Sequence, residues 1–121
     1  EDCAKFVERE IRRGNTYDAI IMDPPSYGRG PGGEVWKLEE SLWPFMELVS
    51  KVLSDDPLFV IISSYTTGLS PSVLTYMAES IFTKKYGKGH AESRELGLPV
   101  KDTGLVLPCG ATGRWTPEER R

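Results

Sequence analysis

The run Ala19-Ile20-Ile21-Met22 has no polar interruption and stops at Asp23-Pro24-Pro25. Apolar neighbours without alternation are what a strand buried on both faces requires, so Tyr17 to Met22 is expected to be one. Proline brings no N–H to a central ladder, so the strand must end there, with Asp23 at its carboxyl end. A strand of this kind needs neighbours in a sheet and helices to cover it, which points to a layered α/β architecture.

The rest of the chain supplies them. Cys3, Phe6, Val7 and Ile11 recur at helical spacing. Asp2 stands at the N-cap, Arg12 and Arg13 at the negative end of the helix dipole, and Gly14 closes the helix. Ser26 to Gly33 is rich enough in glycine to be read as a loop. Glu34 to Ser54 has helical periodicity interrupted by Pro44, which predicts a short turn and then a helix opening near that proline. Leu58 to Ile62 is a second apolar strand, followed by the polar Ser63-Ser64. Ser70-Pro71 is a cap-plus-first-turn signal for a helix with Val73, Leu74, Met77, Ile81 and Phe82 on one face. His90 to Leu96 carries Glu92, Arg94 and Glu95, which suits an edge strand defended by charge. Leu105 to Leu107 is a short strand stopped by Pro108, and residues 116–121 form a solvated tail.

Composition narrows the function. The chain has 121 residues, 39% of them hydrophobic and 27% charged, enough for one packed unit. Fifteen Lys and Arg against 18 Asp and Glu give a net charge of −3, which argues against nucleic-acid binding through bulk positive charge but leaves room for a local basic patch. Two distant cysteines make neither a disulfide framework nor a zinc quartet, as expected of a reducing cytoplasm. His90 stands alone, without the spaced partners a zinc site requires, so no metal site is expected. The longest apolar stretch, Pro57 to Ile62, is far short of the ~18 residues of a membrane span. Glu1-Asp2-Cys3 shows neither Met nor a signal pattern and reads as a cut end.

In α/β sheets ligands sit beyond the carboxyl ends of the strands. Asp23 follows one strand, Ser63-Ser64-Tyr65 follow the next, and Asp2 opens a helix on the same edge. The rigid prolines aim the Asp23 carboxylate and nearby carbonyls at one point, where they can accept from a planar base or amide while Tyr27 packs on its face. The plainer reading is a strand end with a stiffened turn. Gly28-Arg29-Gly30-Pro31-Gly32-Gly33 matches G-x-G-x-x-G only literally, because it leaves no strand directly and no acid ends the next strand. A substrate-side loop is the better reading, in which Arg29 can meet a phosphate and Trp36 either stacks on a base or anchors the next helix. Ile20 to Asp23 imitates a nucleotide hydrolase, but the phosphate loop of that fold is missing. Lys84, Lys85 and Lys88 read as a solvated helix end.

Tyr17 to Tyr27, with Asp23-Pro24-Pro25-Ser26-Tyr27 at its end, resembles motif IV of class I S-adenosylmethionine-dependent methyltransferases. The continuation through Gly28–Glu40, Ser64-Tyr65-Thr66-Thr67-Gly68-Leu69-Ser70-Pro71 and Leu107-Pro108-Cys109-Gly110 is similar to bacterial ribosomal RNA large-subunit cytosine-C5 methyltransferases, from Asp2 to about Trp115. The resemblance implies a partial Rossmann-like sheet, strands four to seven with the last two antiparallel, flanked by helices. It thus implies the C-terminal half of the catalytic domain over residues 1–115. It implies S-adenosyl-L-methionine as cofactor of the complete protein, with Asp2, Cys3 and Phe6 near the adenine and Asp23 and Pro24 near the methionine end. Asp23, Pro24, Pro25 and Tyr27 would face the substrate, an RNA base.

Two departures leave the acceptor atom open. Amino-group methyltransferases usually place an aromatic residue directly after the prolines, whereas here Ser26 comes first and Tyr27 second. The cysteine nucleophile of cytosine-C5 enzymes is replaced by Ser63, Ser64, Tyr65 and Thr66, none of which stands in for a thiolate. Cys109 is the remaining thiol near that edge, and also reads as a small residue at a strand end. The isolated half-domain is expected to be inactive, to bind little cofactor, and to self-associate through an exposed sheet edge. A non-catalytic interaction module is the alternative.

Overall fold

The computed structural model describes residues 2–30, 32–33, 35–66 and 68–118. Helix α1 (Cys3–Arg13) leads through Gly14 into strand β1 (Ala19–Met22). A small ribbon follows, β2 (Tyr27–Arg29) and β3 (Val35–Lys37), and then α2 (Leu38–Ser50) and β4 (Phe59–Ser64). Helix α3 (Pro71–Ala78) continues through a π-wound segment, Glu79–Thr83, into α4 (Lys84–Tyr86). The chain closes with the hairpin β5 (His90–Pro99) and β6 (Val106–Thr116).

The main sheet has the order β1-β4-β6-β5. Strands β1 and β4 are parallel, with Met22 opposite Ile62, while β6 is antiparallel to both β4 and β5. This is the expected mixed sheet with an antiparallel final pair. Local signals set several boundaries. The Asp2 carboxylate caps α1 by accepting from Lys5 N–H at 3.1 Å. Gly14, at φ 74°, lets its own N–H and that of Asn15 return to the last carbonyls of the helix.

One face of the sheet is covered. Met22, Val60, Ile62, Ala111 and Trp115 from the strands share a core with Val7, Leu42, Met46, Val49, Leu74 and Phe82 from the helices. Burying each large side chain of this kind contributes roughly 1.5–3 kcal/mol. The opposite face is open: Ile21 is 71% exposed, which corrects the expectation of burial on both faces. The apolar run identifies a strand, but whether each face is buried depends on what lies over it, and the helices named here all contribute to a single core.

Other boundaries differ as well. Tyr27–Arg29 is a strand, because its partner Val35–Lys37 returns alongside it and the glycines serve the turn between them. Pro44 lies within α2 and does not open it. Its side is exposed, so water can satisfy the carbonyl one turn earlier that a proline leaves without an amide donor. Ser63 and Ser64 belong to β4. Pro108 sits inside β6 where the register slips at Leu96/Gly97, a place where a missing N–H is tolerated. Thr116 pairs with His90 at the end of β6 and is not part of a tail. Residues 119–121 of the expected tail lie outside the described residues.

A hydrogen-bond chain joins the last strand to the helical layer. Trp115 Nε1–H donates to Thr83 Oγ1 (3.1 Å), whose hydroxyl donates to Glu79 Oε2 (2.7 Å). Glu79 Oε1 accepts from Ala91 N–H in β5 (2.8 Å). Trp115 itself is fully buried between Phe82 and Tyr86, each 5.5 Å away between ring centroids. Lys85, expected as a solvated cation, reaches back to the Leu53 and Ser50 carbonyls at the end of α2. Partial burial lowers its pKa. No helix among the described residues is long and apolar enough to cross a membrane.

Candidate functional site

The carboxyl edge of β1 and β4 gathers the polar residues. Asp23, Pro25 and Ser26 are exposed just beyond Met22, and Pro24 is half-buried. Two contacts from the ribbon and α2 hold this turn. Trp36 Nε1–H donates to the Pro25 carbonyl at 2.6 Å, and Leu38 N–H donates to the Ser26 carbonyl at 3.1 Å. Trp36 also meets Phe45 edge-on, with centroids 5.8 Å apart. Trp36 is therefore an anchor, the packing role, and its N–H is already taken.

A third contact spans the edge. The Ser26 and Thr66 hydroxyls are 2.7 Å apart, tying the loop after β1 to the loop after β4. Ser64, 1% exposed, accepts from Thr66 N–H through its side chain at 3.3 Å. Ser63 faces Thr112 at 3.3 Å. These engaged hydroxyls shape the rim. Beside them Gly110 approaches so closely that a Cβ there would collide with the Ser64 carbonyl and come within 3.0 Å of Tyr65. Cys109 is half-buried, with its thiol 3.5 Å from the Leu96 carbonyl.

Asp2, Cys3 and Phe6 occupy the first turns of α1. Asp2 caps the helix that precedes β1 in the chain, with its carboxylate already accepting from Lys5 N–H. Cys3 is exposed and Phe6 is 38% exposed, with the Arg9 guanidinium 5.5 Å from its ring centroid. Asp23 to Tyr27 form one continuous segment beyond β1, and among the described residues no hydrogen bond or ring contact joins Asp2, Cys3 or Phe6 to it. The Ser26–Thr66 link and the Gly110 approach had no signal in the sequence, because their partners are remote along the chain.

A concavity of about 380 Å³ lies elsewhere, on the open face of the sheet, lined by Ile61, Glu92, Arg94, Thr112 and Arg114. It includes none of the expected site residues. Among the described residues no cluster of His, Cys, Asp and Glu is suited to a metal ion. His90 lies at the start of β5 with Nε2 3.1 Å from Glu92 Oε1.

No family model matches the sequence, and neither does any curated protein. Solved structures do. The SAM-dependent methyltransferase from Agrobacterium tumefaciens is 32% identical with a TM-score of 0.84, over 98% of this chain and 39% of that one. SMU.776, assigned as a methyltransferase and solved with SAH, is 19% identical with a TM-score of 0.67, over 96% of this chain and 30% of its own. The complex of M1.HpyAVI with SAM is 13% identical with a TM-score of 0.57, over 100% and 52%. The last two likenesses speak for the fold alone. The strand order, the antiparallel closing pair and the neighbouring structures together identify the architecture as the class I fold of SAM-dependent methyltransferases, which this chain carries over 39% of the length of the Agrobacterium tumefaciens protein.

Proposed function

We propose that this chain forms the substrate-facing part of an S-adenosylmethionine-dependent methyltransferase acting on a base of ribosomal or other RNA, in the cytoplasm. The observation that carries the reading is the Asp23-Pro24-Pro25 turn at the carboxyl end of β1, held from one side by Trp36 and from the other by the Ser26–Thr66 pair. RNA as the substrate rests on the resemblance of the segments from Tyr17 to Pro71 and Leu107 to Gly110 to ribosomal RNA methyltransferases.

The donor set at the edge suits the cofactor at two places. Asp2, Cys3 and the half-exposed Phe6 ring offer an acceptor and an apolar surface for an adenine. Asp23 and Pro24 offer a carboxylate and a stiff wall for the methionine end. When bound, the cofactor supplies an electrophilic methyl group. The chain's own contribution is positioning: Asp23 accepts from an N–H of the base or cofactor, the prolines keep its backbone from turning, and Tyr27 packs on the base. Ser64, buried and hydrogen-bonded, serves structure and not nucleophilic attack.

Asp23→Ala in the full-length protein is expected to reduce transfer of a tritiated methyl group to RNA to background, with circular dichroism unchanged. Unchanged turnover removes the assignment. Residues 1–121 alone are expected to show little binding of S-adenosylhomocysteine in calorimetry, and tight stoichiometric binding contradicts that. A second reading, an interaction module, is favoured by one feature: β1 is the first strand of the sheet and exposes Ile21. Light scattering that reports a dimer, lost in Ile21→Lys, supports it.

A further inference from the structure

The β2–β3 ribbon has two unlike faces. The register pairs Tyr27 with Lys37, Gly28 with Trp36, and Arg29 with Val35. Side chains alternate along a strand, so Gly28 and Trp36 share the inner face, and Tyr27, Arg29, Val35 and Lys37 share the outer one. Burial agrees: the first pair is half-buried and the other four are exposed. The inner face is fixed to the Pro25 carbonyl and to Phe45 through Trp36. On the outer face Arg29 Nε–H donates to the Tyr27 hydroxyl at 3.1 Å. That bond occupies Nε and leaves the two terminal nitrogens of the guanidinium for another partner.

We propose that this outer face binds the single-stranded RNA around the target base, with Arg29 and Lys37 on the phosphates flanking the base that packs on Tyr27. The proposal rests on the RNA reading above and adds a recognition element to it. An aromatic ring flanked by two cations, with no carboxylate among the described residues of the ribbon, is the combination single strands use: a base stacks on the ring while the cations meet phosphates. Glu39 and Glu40 follow in the first turn of α2, where they answer the positive end of the helix. The outer face itself carries Arg29 and Lys37, with acids next to it in the chain at Glu34, Glu39 and Glu40, so phosphate contacts are expected to be local to these two side chains. Because the same ribbon grips the Pro25 carbonyl, a strand seated on it is registered against Asp23.

The test is fluorescence anisotropy of a labelled, unstructured 12-nucleotide RNA titrated with the 121-residue chain at several salt concentrations. Arg29→Ala/Lys37→Ala is expected to flatten the slope of log affinity against log salt by about 1.4, or ~0.7 per lost phosphate contact. Tyr27→Ala is expected to weaken binding roughly tenfold at every salt concentration. Lys84→Ala/Lys88→Ala removes the same charge from exposed positions elsewhere and is expected to leave the slope unchanged. Absence of RNA binding by the parent chain overturns the proposal, as does an equal loss of slope in the Lys84/Lys88 variant. Equal affinity for the matching DNA strand overturns the assignment to RNA. The readout is binding alone, so active Asp23→Ala with an intact ribbon effect refutes only the catalytic reading. Turnover abolished by Asp23→Ala in the full-length protein, with no ribbon effect on binding, refutes only this one.

Discussion

The hydroxyls of Ser26 and Thr66 meet at 2.7 Å across 40 positions of sequence, and that contact closes the rim at which β1 and β4 end. It is exposed, so its worth belongs at the low end of the range for hydrogen bonds. A double-mutant cycle of Ser26→Ala and Thr66→Val, followed by urea unfolding, is expected to give a coupling of about 0.5–1 kcal/mol. A coupling of zero shows that the loops are held by Trp36 and the backbone alone.

Gly89 precedes β5 at φ 133°, and a Cβ there would lie 2.6 Å from Trp115 Nε1. Backbone strain and a buried ring without room to move act together. Gly89→Ala is expected to lower stability by roughly 1–3 kcal/mol, with the near-ultraviolet signal of Trp115 altered. An unchanged urea midpoint speaks against both effects.

Glu79 accepts from Ala91 N–H and from the Thr83 hydroxyl, and so ties the π-wound segment to the edge strand. Glu79→Ala leaves both donors in a partly buried place without a partner, a loss of about 1–3 kcal/mol. Glu79→Gln keeps one acceptor and is expected to lose less. Hydrogen exchange at Ala91 should accelerate in the alanine variant well beyond the change at Val60, which lies in the core.

Glu10, on the buried side of α1, accepts from Tyr17 Oη at 2.6 Å and Asn15 Nδ2 at 2.7 Å, with Arg13 at 4.0 Å. The Tyr17 and Asn15 bonds, in that order, hold its pKa below the ordinary carboxylate range, and the Tyr17 phenol is raised in turn by its bond to Glu10. A lowered carboxylate stabilises the fold above its unfolded-state pKa, and the benefit disappears as pH falls through the lowered folded value. The raised phenol acts oppositely: its contribution is complete below the unfolded value and disappears as pH rises through the raised one. Glu10→Gln is therefore expected to lie furthest below the parent in stability at neutral pH and to converge with it as pH falls through the lowered Glu10 value. A gap that stays constant across that range removes the ionised Glu10 from the account.

The sequence by itself determined where elements begin and end when one residue decides the matter: Asp2 capping α1, Gly14 closing it, Pro24 ending β1, Pro71 opening α3. Missing donors, caps and left-handed glycines act within a few bonds of themselves, so their meaning is local. The layered α/β class was legible through apolar runs at recognisable spacing, while the antiparallel closing pair was implied by the resemblance to class I methyltransferases. Tertiary structure alone decided the rest. Tyr27–Arg29 becomes a strand only because Val35–Lys37 returns beside it, and Pro44 stays helical because its side of α2 faces water. Lys85 becomes a cap for α2 only when α4 is packed against it. Ile21 is apolar like its neighbours, yet its exposure depends on what covers the sheet, a property that no run of four residues contains. The same holds for the edge where Asp23, Ser26 and Thr66 meet: each was readable as polar and near a strand end, but their proximity is a product of parallel pairing between β1 and β4.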